Sequence, residues 1–376
     1  MEMHPHTAVA RKDGRLISIP PPESGITGPH GPIGAGFIHL GGAKEIYTVL
    51  GELGASPERI IAEAGLDPRL FDDGNNLISF RALGHLLALC IERTNCPHFG
   101  LLVGQRATLS SLRLVGLLMR HAETVGHALQ ALQRHLRVQN RGAVIRLDVD
   151  RDLAILSYLP YEPSAGSAAQ HSEEALATTV NALRALCGSE WTPSELLLAR
   201  TAPADLEPYR RFFRAPIRFD QETAALVLSA HWLKHRVPGA DPAVRCKAEK
   251  RVLELEAATP SSLADDLRRL LRVESMRARC TADEAACLLS IHRRTLTRRL
   301  KTEGTCFKAL ADEIRFEIAR QLLIDTQMTL VQVAAVLDFS EPAAFTRAFR
   351  SWSGLTPSGW RAEHKAQSPK SPLAAA

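Results

Sequence analysis

At 376 residues the chain is long enough for two domains, and its 45% hydrophobic content is ample for buried cores. Residues 1–260 carry 28 basic and 28 acidic side chains, whereas residues 261–376 carry 18 basic and 13 acidic ones, which together give the net charge of +5. A basic excess confined to the C-terminal part favours a polyanionic partner there.

The spacing of the cysteines and the composition of one glycine-rich stretch exclude further classes of protein. The seven cysteines form no CxxC pair and show no zinc-ligand spacing, so we expect reduced thiols in a cytoplasm. Residues 24–43 contain seven Gly and two Pro and no Asp, Glu, Lys or Arg. This composition excludes a membrane helix and a signal-peptide core, and no membrane partner is expected.

The N-terminal residues 1–36 are rich in Pro, Gly and His without apolar periodicity, so they are predicted to form a disordered arm. His4, His6 and His30 have metal-binding side chains, but they lack the spaced acidic or Cys partners of a metal site. We therefore predict no metal ion there.

Residues 37–240 mix helical and strand patterns. Ser79 and Thr124 are predicted to cap helices, because apolar residues at helical spacing follow each of them. Alternation in 143–149 and 153–159 predicts a β-hairpin. The remaining predicted elements are a long helix around Val180 and short strands at 196–199 and 217–219. Because helices and antiparallel strands occur in separate runs, the predicted class of this domain is α+β.

Residues 241–259 are charged and helix-prone, with Val244, Val252 and Leu255 as their apolar points. This pattern fits either a linker helix or a weak dimer contact.

A second domain is predicted over 260–364, followed by a flexible tail over 365–376. It should begin with a helix over 261–272, because Pro260 interrupts the preceding helical segment and Ser261 can start a new helix.

One short phrase occurs twice in this second domain, as residues 296–301 (LTRRLK) and 345–350 (FTRAFR). Each copy has apolar residues at i and i+4, which form one buried helical stripe, and a Thr-Arg pair off that stripe. A matching apolar run precedes each copy, at 285–289 and 333–337. The repeat predicts two helix-turn-helix units with a basic outer face on the second helix of each.

Cap residues mark the same boundaries in both units. Thr281 with Glu284 and Thr329 with Gln332 have the spacing of capping boxes. Between the units, residues 306–324 keep helical spacing, which predicts one connecting helix about 28 Å long. The second domain is therefore predicted to be all-α.

Residues 304–307 (GTCF), 315–323, 339–349 (FSEPAAFTRAF) and 354–357 (GLTP) resemble the DNA-binding domain of the AraC family of transcription regulators. The resemblance implies a sequence-specific regulator of transcription, more often an activator, with promoter DNA and RNA polymerase as partners. One departure is Asp338, where the family usually has Gly. A turn Gly indicates a left-handed backbone, which Asp tolerates better than most residues.

The N-terminal domain is similar to that of the AraC subgroup that includes regulators of ornithine and arginine use. The likeness lies in residues 210–216 (RRFFRAP), Phe219, 232–233 (WL) and 238–242 (PGADP). It implies a domain that senses a small-molecule effector or mediates self-association into a homodimer. It identifies neither the effector nor any pocket residue.

A DNA-repair enzyme is one competing class, because AraC-type domains also occur fused to alkylation-repair methyltransferases. Those enzymes need a reactive Cys in a Pro-Cys-His-Arg setting, whereas residues 96–98 read Cys-Pro-His. A phosphate loop, a Gly-x-Ser-x-Gly elbow and a His-Glu-x-x-His motif are also missing. We therefore predict no enzyme, no catalytic residue and no cofactor. His171 and Glu174, one helical turn apart, are interpreted as a surface hydrogen bond rather than a ligand pair.

An effector-independent DNA-bending protein is the other competing class, because ligand pockets leave little trace in one sequence. The preferred hypothesis is a cytoplasmic, effector-sensing transcription regulator.

The residues predicted to contact DNA lie on or next to the second helix of each unit, off the stripe that is assigned to the core. They are His292, Arg293, Arg294, Thr297 and Arg298 in the first unit, and Ala343, Thr346, Arg347 and Arg350 in the second. Phe345 and Phe349 are assigned to the core. Four Arg occur between positions 293 and 299, against Arg347 alone at the equivalent places. If only one unit engages DNA fully, we therefore expect it to be the first.

Overall fold

A computed structural model describes residues 9–12, 15–18, 24–25, 33–162, 167–259, 262–275 and 280–367. An α+β part runs to residue 259, and an all-helical part with two helix-turn-helix units follows it. The predicted fold class is therefore confirmed.

Short strands occupy the start of the chain. The first five strands are β1 (Val9–Lys12), β2 (Arg15–Ser18), β3 (Ser24–Gly25), β4 (Phe37–His39) and β5 (Leu77–Ser79). β1 and β2 pair antiparallel, and the other three form a sheet of order β3-β5-β4. Most of the range that was predicted to be disordered lies outside the described residues, while Ile33 at its end is buried in the N-terminal domain.

A helical layer follows these strands. It consists of α1 (Ile46–Glu52), α2 (Pro57–Glu63), α3 (Phe80–Thr94) and α4 (Phe99–Arg106). Ser79 caps α3 as predicted, because its Oγ accepts the Ala82 backbone N–H at 3.0 Å. The apolar side of α3 is buried between the other three helices.

A five-stranded sheet of order β6-β7-β10-β8-β9 forms the centre of the N-terminal domain. Its strands are β6 (Ala143–Asp150), β7 (Leu153–Pro160), β8 (Glu195–Leu197), β9 (Ile217–Arg218) and β10 (Ala224–Ser229). The predicted hairpin is β6 and β7, whereas the central strand β10 was not predicted. Its sequence, AALVLS, is an almost continuous apolar run, and such a run does not distinguish a buried strand from a buried helix.

Four helices cover this sheet or flank it. They are α5 (Arg113–Arg120), α6 (Val125–His135), α7 (Ala168–Cys187) and α8 (Glu207–Phe213). Thr124 caps α6 as predicted, because its Oγ1 accepts the His127 backbone N–H at 3.2 Å. The predicted long helix is α7, and Val180 on it is fully buried.

Helix α9 (Pro242–Ala258) packs against the N-terminal domain. Its Ala248 and Val252 form a small buried cluster with Leu118 of α5 and Ala131 of α6. Glu256 of α9 also pairs with Arg137 at 3.0 Å. Of the apolar residues in the segment that was predicted to be a linker or dimer contact, Val252 and Leu255 are buried within the chain and Val244 is half-buried.

The C-terminal domain is a helical bundle. Its helices are α10 (Leu263–Glu274), α11 (Ala282–Leu288), α12 (Arg293–Thr302), α13 (Phe307–Asp325), α14 (Leu330–Val336), α15 (Pro342–Ser353) and α16 (Pro357–Gln367). The connecting helix α13 has 19 residues, so it is about 28 Å long. None of the helices in the described ranges has the length and apolar character that a membrane crossing requires.

Candidate nucleic-acid interface

The first helix of each unit begins with the same capping box. In the first unit, the Thr281 Oγ1 accepts the Glu284 backbone N–H at 3.3 Å, and the Glu284 carboxylate accepts the Thr281 N–H at 2.7 Å. The bonds that the Glu284 carboxylate accepts from the Thr281 N–H and hydroxyl lower its pKa, and the charge lies near the positive end of α11. Thr329 and Gln332 repeat the arrangement at 3.3 Å and 2.8 Å in the second unit. Both predicted capping boxes are therefore confirmed.

A left-handed residue turns the chain between the two helices of each unit. Asp338 has a φ of 56°, as the expected turn predicts, and Ser290 has a φ of 54° at the same place in the first unit. Ser290 was not predicted to adopt this conformation. The backbone N–H after each turn residue donates to the carbonyl five residues earlier, at 2.9 Å and 3.0 Å. The two units therefore turn by the same device, although neither has the Gly that this backbone favours.

Helix α12 presents a basic face because its apolar residues point the other way. Leu296 and Leu300 are buried in the core. His292 is the N-cap, and its Nδ1 accepts the Arg294 backbone N–H at 3.2 Å. The five first-unit residues predicted to contact DNA are all exposed. Positions 293, 294, 297 and 298 lie on one side of the helix because they are spaced by one and four residues.

The exposed side chains of α12 differ in whether they already have partners. Arg293 forms an ion pair with Asp283 of α11. Within the described part of the chain, the side chains of Arg294, Thr297 and Arg298 make no hydrogen bond or ion pair, so they are free to contact a ligand.

Helix α15 presents a weaker surface for an anionic partner. Ala343, Arg347 and Arg350 are exposed, but the Arg347 Nη2 lies 3.4 Å from the Glu341 Oε1. Thr346 is half-buried, and its hydroxyl donates to the Pro342 carbonyl at 2.9 Å. A base contact through the Thr346 hydroxyl would therefore have to compete with this internal bond.

An aromatic cluster holds α15 in the domain. Phe345 and Phe349 are both fully buried, and their ring centroids are 5.7 Å apart. Phe316 of α13 and Trp360 of α16 lie 5.5 Å and 5.9 Å from the Phe349 ring. The predicted structural role of Phe345 and Phe349 is confirmed.

Two exposed cations of α12 were absent from the predicted set. Arg299 and Lys301 are exposed near Arg298, and neither is paired within the residues that the structure describes. The signal was available in the sequence for Arg299, because assigning Leu296 and Leu300 to the core leaves the positions between them outside it, and Lys301 directly follows Leu300.

A buried ion pair joins the C-terminal domain to the N-terminal one. The Arg141 Nη2 lies 2.6 Å from the Asp265 Oδ2 of α10, and each side chain is only 4% exposed. Nearby, the fully buried Arg272 donates from Nε to the Pro160 carbonyl at 2.8 Å, and burial lowers its pKa to about 10. Because Tyr161 also packs into the core of the bundle, α10 is firmly attached to the edge of the sheet.

A second junction lies at the end of α13. The Thr201 backbone N–H donates to the Asp325 carbonyl at 2.6 Å, and the Gln327 N–H donates to the Asp220 Oδ1 at 2.8 Å. Burial raises the pKa of the Asp325 carboxyl to about 6, although the positive charge of Arg200 opposes the shift. The C-terminal domain thus contacts the N-terminal one both through α10 and through the end of α13.

The interpretation of His171 and Glu174 as a surface hydrogen bond is wrong. His171 is 2% exposed and stacks on Phe80 with a centroid distance of 4.2 Å. Burial lowers the pKa of this imidazole to about 3, so it is neutral. Glu174 is half-buried and lines a cavity of the N-terminal domain without a hydrogen bond to His171. Polar residues one turn apart on a helix that is buried along most of its length were mistaken for surface residues.

Both halves of the chain match protein-family models. Residues 54–237 match the arabinose-binding domain of AraC transcription regulator, N-terminal, and residues 285–363 match a helix-turn-helix domain. The second match runs from within α11 into α16, so it covers most of the first unit and all of the second.

Individual relatives match over most of the chain. The ornithine utilization regulator of Pseudomonas aeruginosa is 26% identical over 333 residues, covering 87% of this chain and 97% of the relative. The HTH-type transcriptional regulator VirS of Mycobacterium tuberculosis is 26% identical over 320 residues, covering 84% and 94%. Among solved structures, the transcriptional regulator CdpR from Pseudomonas aeruginosa has 22% identity, covers 86% and 98%, and gives a TM-score of 0.43.

Proposed function

Because the chain belongs to the AraC family of transcriptional regulators, we propose that it reads promoter DNA mainly through α12 of its first helix-turn-helix unit. Arg294, Thr297 and Arg298 are the proposed base-reading residues, and His292 and Arg293 lie beside them. The proposed contacts of the second unit are those of α15, through Ala343, Thr346, Arg347 and Arg350.

The observation that carries this proposal is the set of unpartnered polar side chains on α12. An arginine guanidinium donates two parallel hydrogen bonds to guanine, and such a contact is worth about 1–3 kcal/mol against a wrong base. An arginine that is already paired within the protein must first give up that pair. Arg298 has no such pair within the described ranges, whereas Arg347 faces Glu341.

The length of α13 supports a further element of the proposal, which is that DNA bends. Two helices that read successive major grooves on one face of straight DNA lie about 34 Å apart. The connecting helix spans about 28 Å, so it is shorter than the groove repeat. Either the DNA bends towards the protein, at a cost on the order of 1–6 kcal/mol, or the second unit grips the backbone without reading bases.

The wider proposal concerns regulation and partners. The N-terminal domain senses a small-molecule effector and transmits its state through the Arg141–Asp265 pair to α10, which packs beside α12. The chain then acts in the cytoplasm as an activator that contacts RNA polymerase, and it forms a homodimer. The family assignment supports the effector and the DNA; the activator role, RNA polymerase and the homodimer are implied by resemblance.

The proposal is tested by measuring the affinity of the full chain for its promoter and for random DNA across a salt series. A sequence-specific regulator keeps an affinity ratio of about 10³ or more, because base contacts persist after phosphate contacts are screened. Arg298→Ala should reduce the ratio, whereas Arg236→Ala, at an exposed position of the N-terminal domain, should leave it unchanged. A wild-type ratio near one at every salt concentration would contradict sequence-specific binding and favour a DNA-bending protein.

A further inference from the structure

A cavity of about 60 Å³ lies inside the N-terminal domain, between β6 and β7 of the sheet, helices α6 and α7, and the segment that follows β4. Its lining is mixed: apolar side chains such as Leu132 and Ile145 alternate with polar ones such as Tyr158 and Glu174. The space holds about four or five water-sized groups, which fits one small molecule.

Glu174 is the charged group of the cavity that lacks a partner. Its Oε1 accepts one long hydrogen bond, from the Thr178 hydroxyl at 3.5 Å, and no cation of the described residues lies within ion-pair distance. The preceding residue, Glu173, has the opposite environment: its Oε1 lies 2.7 Å from the Arg200 Nη1 and 2.8 Å from the Tyr209 hydroxyl. Glu174 is half-buried, and a carboxylate in such a place without a counter-ion adds nothing to the stability of the fold, so stability does not explain it.

The backbone beside Glu174 comes close to its carboxylate. A Cβ at Gly42 would lie 3.2 Å from the Glu174 Oε1, so the backbone there approaches the carboxylate closely. The Tyr158 hydroxyl accepts a hydrogen bond from the Asn140 Nδ2 at 3.3 Å. Burial and the negative charge of Glu174 both raise the pKa of this hydroxyl. A ligand at this place would thus meet a carboxylate and a phenol oxygen together.

We propose that this cavity is the effector site and that the effector is a small molecule with a protonated amine, which pairs with the Glu174 carboxylate. The inference rests on the proposed effector role of the N-terminal domain and names the chemical class of the ligand. The amine supplies the counter-ion that the protein itself does not provide, and a strong charge-assisted hydrogen bond results.

The cavity adjoins the junction with the C-terminal domain. Asn140 lines the cavity, and the next residue is Arg141, which pairs with Asp265 of α10. Tyr158 also lines it, and two residues later the Pro160 carbonyl accepts the bond from Arg272. A ligand that moves either lining residue therefore acts directly on a neighbour that holds α10.

Binding should depend on pH with a defined sign. Burial raises the pKa of the Glu174 carboxyl to about 7, so the carboxylate that the amine needs forms as pH rises through 7. Affinity for an amine should increase about tenfold from pH 6 to pH 8, following the ionised fraction. His39, Arg113 and Tyr158 are the other titratable or charged groups that line the cavity. Because His39 also lines the cavity, the Glu174→Gln variant is needed to assign the effect.

The experiment is isothermal titration calorimetry on the full chain with matched probes: 1,3-diaminopropane, 1,4-diaminobutane and 1,5-diaminopentane, the corresponding diols, and the corresponding dicarboxylates. We expect at least one diamine to bind at least tenfold more tightly than its diol, and the dicarboxylates not to bind. Glu174→Gln, which keeps the shape of the side chain, should remove this preference and the pH dependence together. Its melting temperature shows that it is folded.

Three results would overturn the inference: no diamine binding to the wild-type chain, equal binding of diamines and diols, or diamine binding that Glu174→Gln leaves intact. A pH dependence that persists in Glu174→Gln would belong to another group and count against Glu174. The promoter-affinity ratio is measured on the same samples without any probe. A normal ratio with no diamine binding would refute the amine site alone, whereas a ratio near one would refute the proposed function.

Discussion

The two helix-turn-helix units share a backbone and differ in the surface that it carries. Both have a capping box, a left-handed turn residue and a second helix with apolar residues at i and i+4. In the first unit the outer face of that second helix is crowded with cations. In the second unit it carries Arg347 and Arg350, and the core behind it is aromatic.

This difference separates what local sequence encodes from what function requires. Caps, turns and apolar spacing recur in both units because each unit needs them to fold. The cations of α12 contribute little to that fold, since several of them lack a partner in the described part of the chain. Residues that are exposed, charged and unpartnered are therefore the better candidates for recognition.

The largest expected effects test the shared part of the comparison, which is the core. Phe349→Ala should lower the free energy of unfolding by about 3–5 kcal/mol, because the ring is fully buried among Phe316, Phe345 and Trp360. Leu300→Ala in the first unit should cost about 2–5 kcal/mol. Urea denaturation measures both, with Phe349→Leu as the milder control. A Phe349→Ala protein with an unchanged denaturation midpoint would mean that the second unit is not held by this core.

The units also differ in how they are attached to the N-terminal domain. Among these attachments, the buried ion pair beside the first unit should contribute most to stability. Arg141→Ala should destabilise the chain by about 3–5 kcal/mol, because it leaves the Asp265 carboxylate buried without its partner. The double variant Arg141→Met with Asp265→Leu should recover most of this loss. If Arg141→Ala lowers the free energy of unfolding by less than about 1 kcal/mol in the same denaturation experiment, water reaches the ion pair in solution.

A smaller effect tests whether both turns are held in the same conformation. Ser290→Gly and Asp338→Gly should each raise stability by up to about 1 kcal/mol, because Gly adopts a positive φ without the steric cost of a Cβ. Thermal unfolding of the two variants gives the comparison. If only one of them is stabilised, the two turns differ despite their equal φ angles.

The smallest expected effect concerns the acid next to Arg347. Glu341→Gln removes an exposed ion pair, so it should strengthen DNA binding by less than about 1 kcal/mol while leaving stability unchanged. Asp283→Asn is the matched change in the first unit, where it releases Arg293. Binding to cognate DNA at fixed salt measures both. Weaker DNA binding after Glu341→Gln would mean that Glu341 positions Arg347 for its contact.

Elements with strong local signals were predicted well. The caps at Ser79, Thr124, Thr281 and Thr329 and the β6–β7 hairpin follow from spacing and residue type alone. The strand β10 was missed because burial on both faces removes the alternation that marks a strand. Long-range pairing places it at the centre of the sheet, and no nearby residue encodes that partner.

The candidate sites also combine features that local sequence predicts with features that depend on tertiary packing. Exposure of the residues on α12 could be predicted from the position of Leu296 and Leu300. The ion pair of Arg347 with Glu341 and the bond of the Thr346 hydroxyl depend on side-chain conformation, which spacing does not give. The place of Glu174 in a cavity depends on the packing of α7 against the sheet and the segment after β4, so sequence alone assigned it to the surface.

The central claim is that the first unit reads bases more fully than the second, and a double-mutant cycle between protein and DNA tests it most directly. Affinities of wild type, Arg298→Ala and Arg347→Ala are measured at fixed salt on the cognate site and on every single base-pair substitution of it. We expect Arg298→Ala to show a coupling energy of about 1–3 kcal/mol with one base pair and Arg347→Ala to show a smaller one or none. Equal coupling for both arginines, or coupling for Arg347 alone, would contradict the claim.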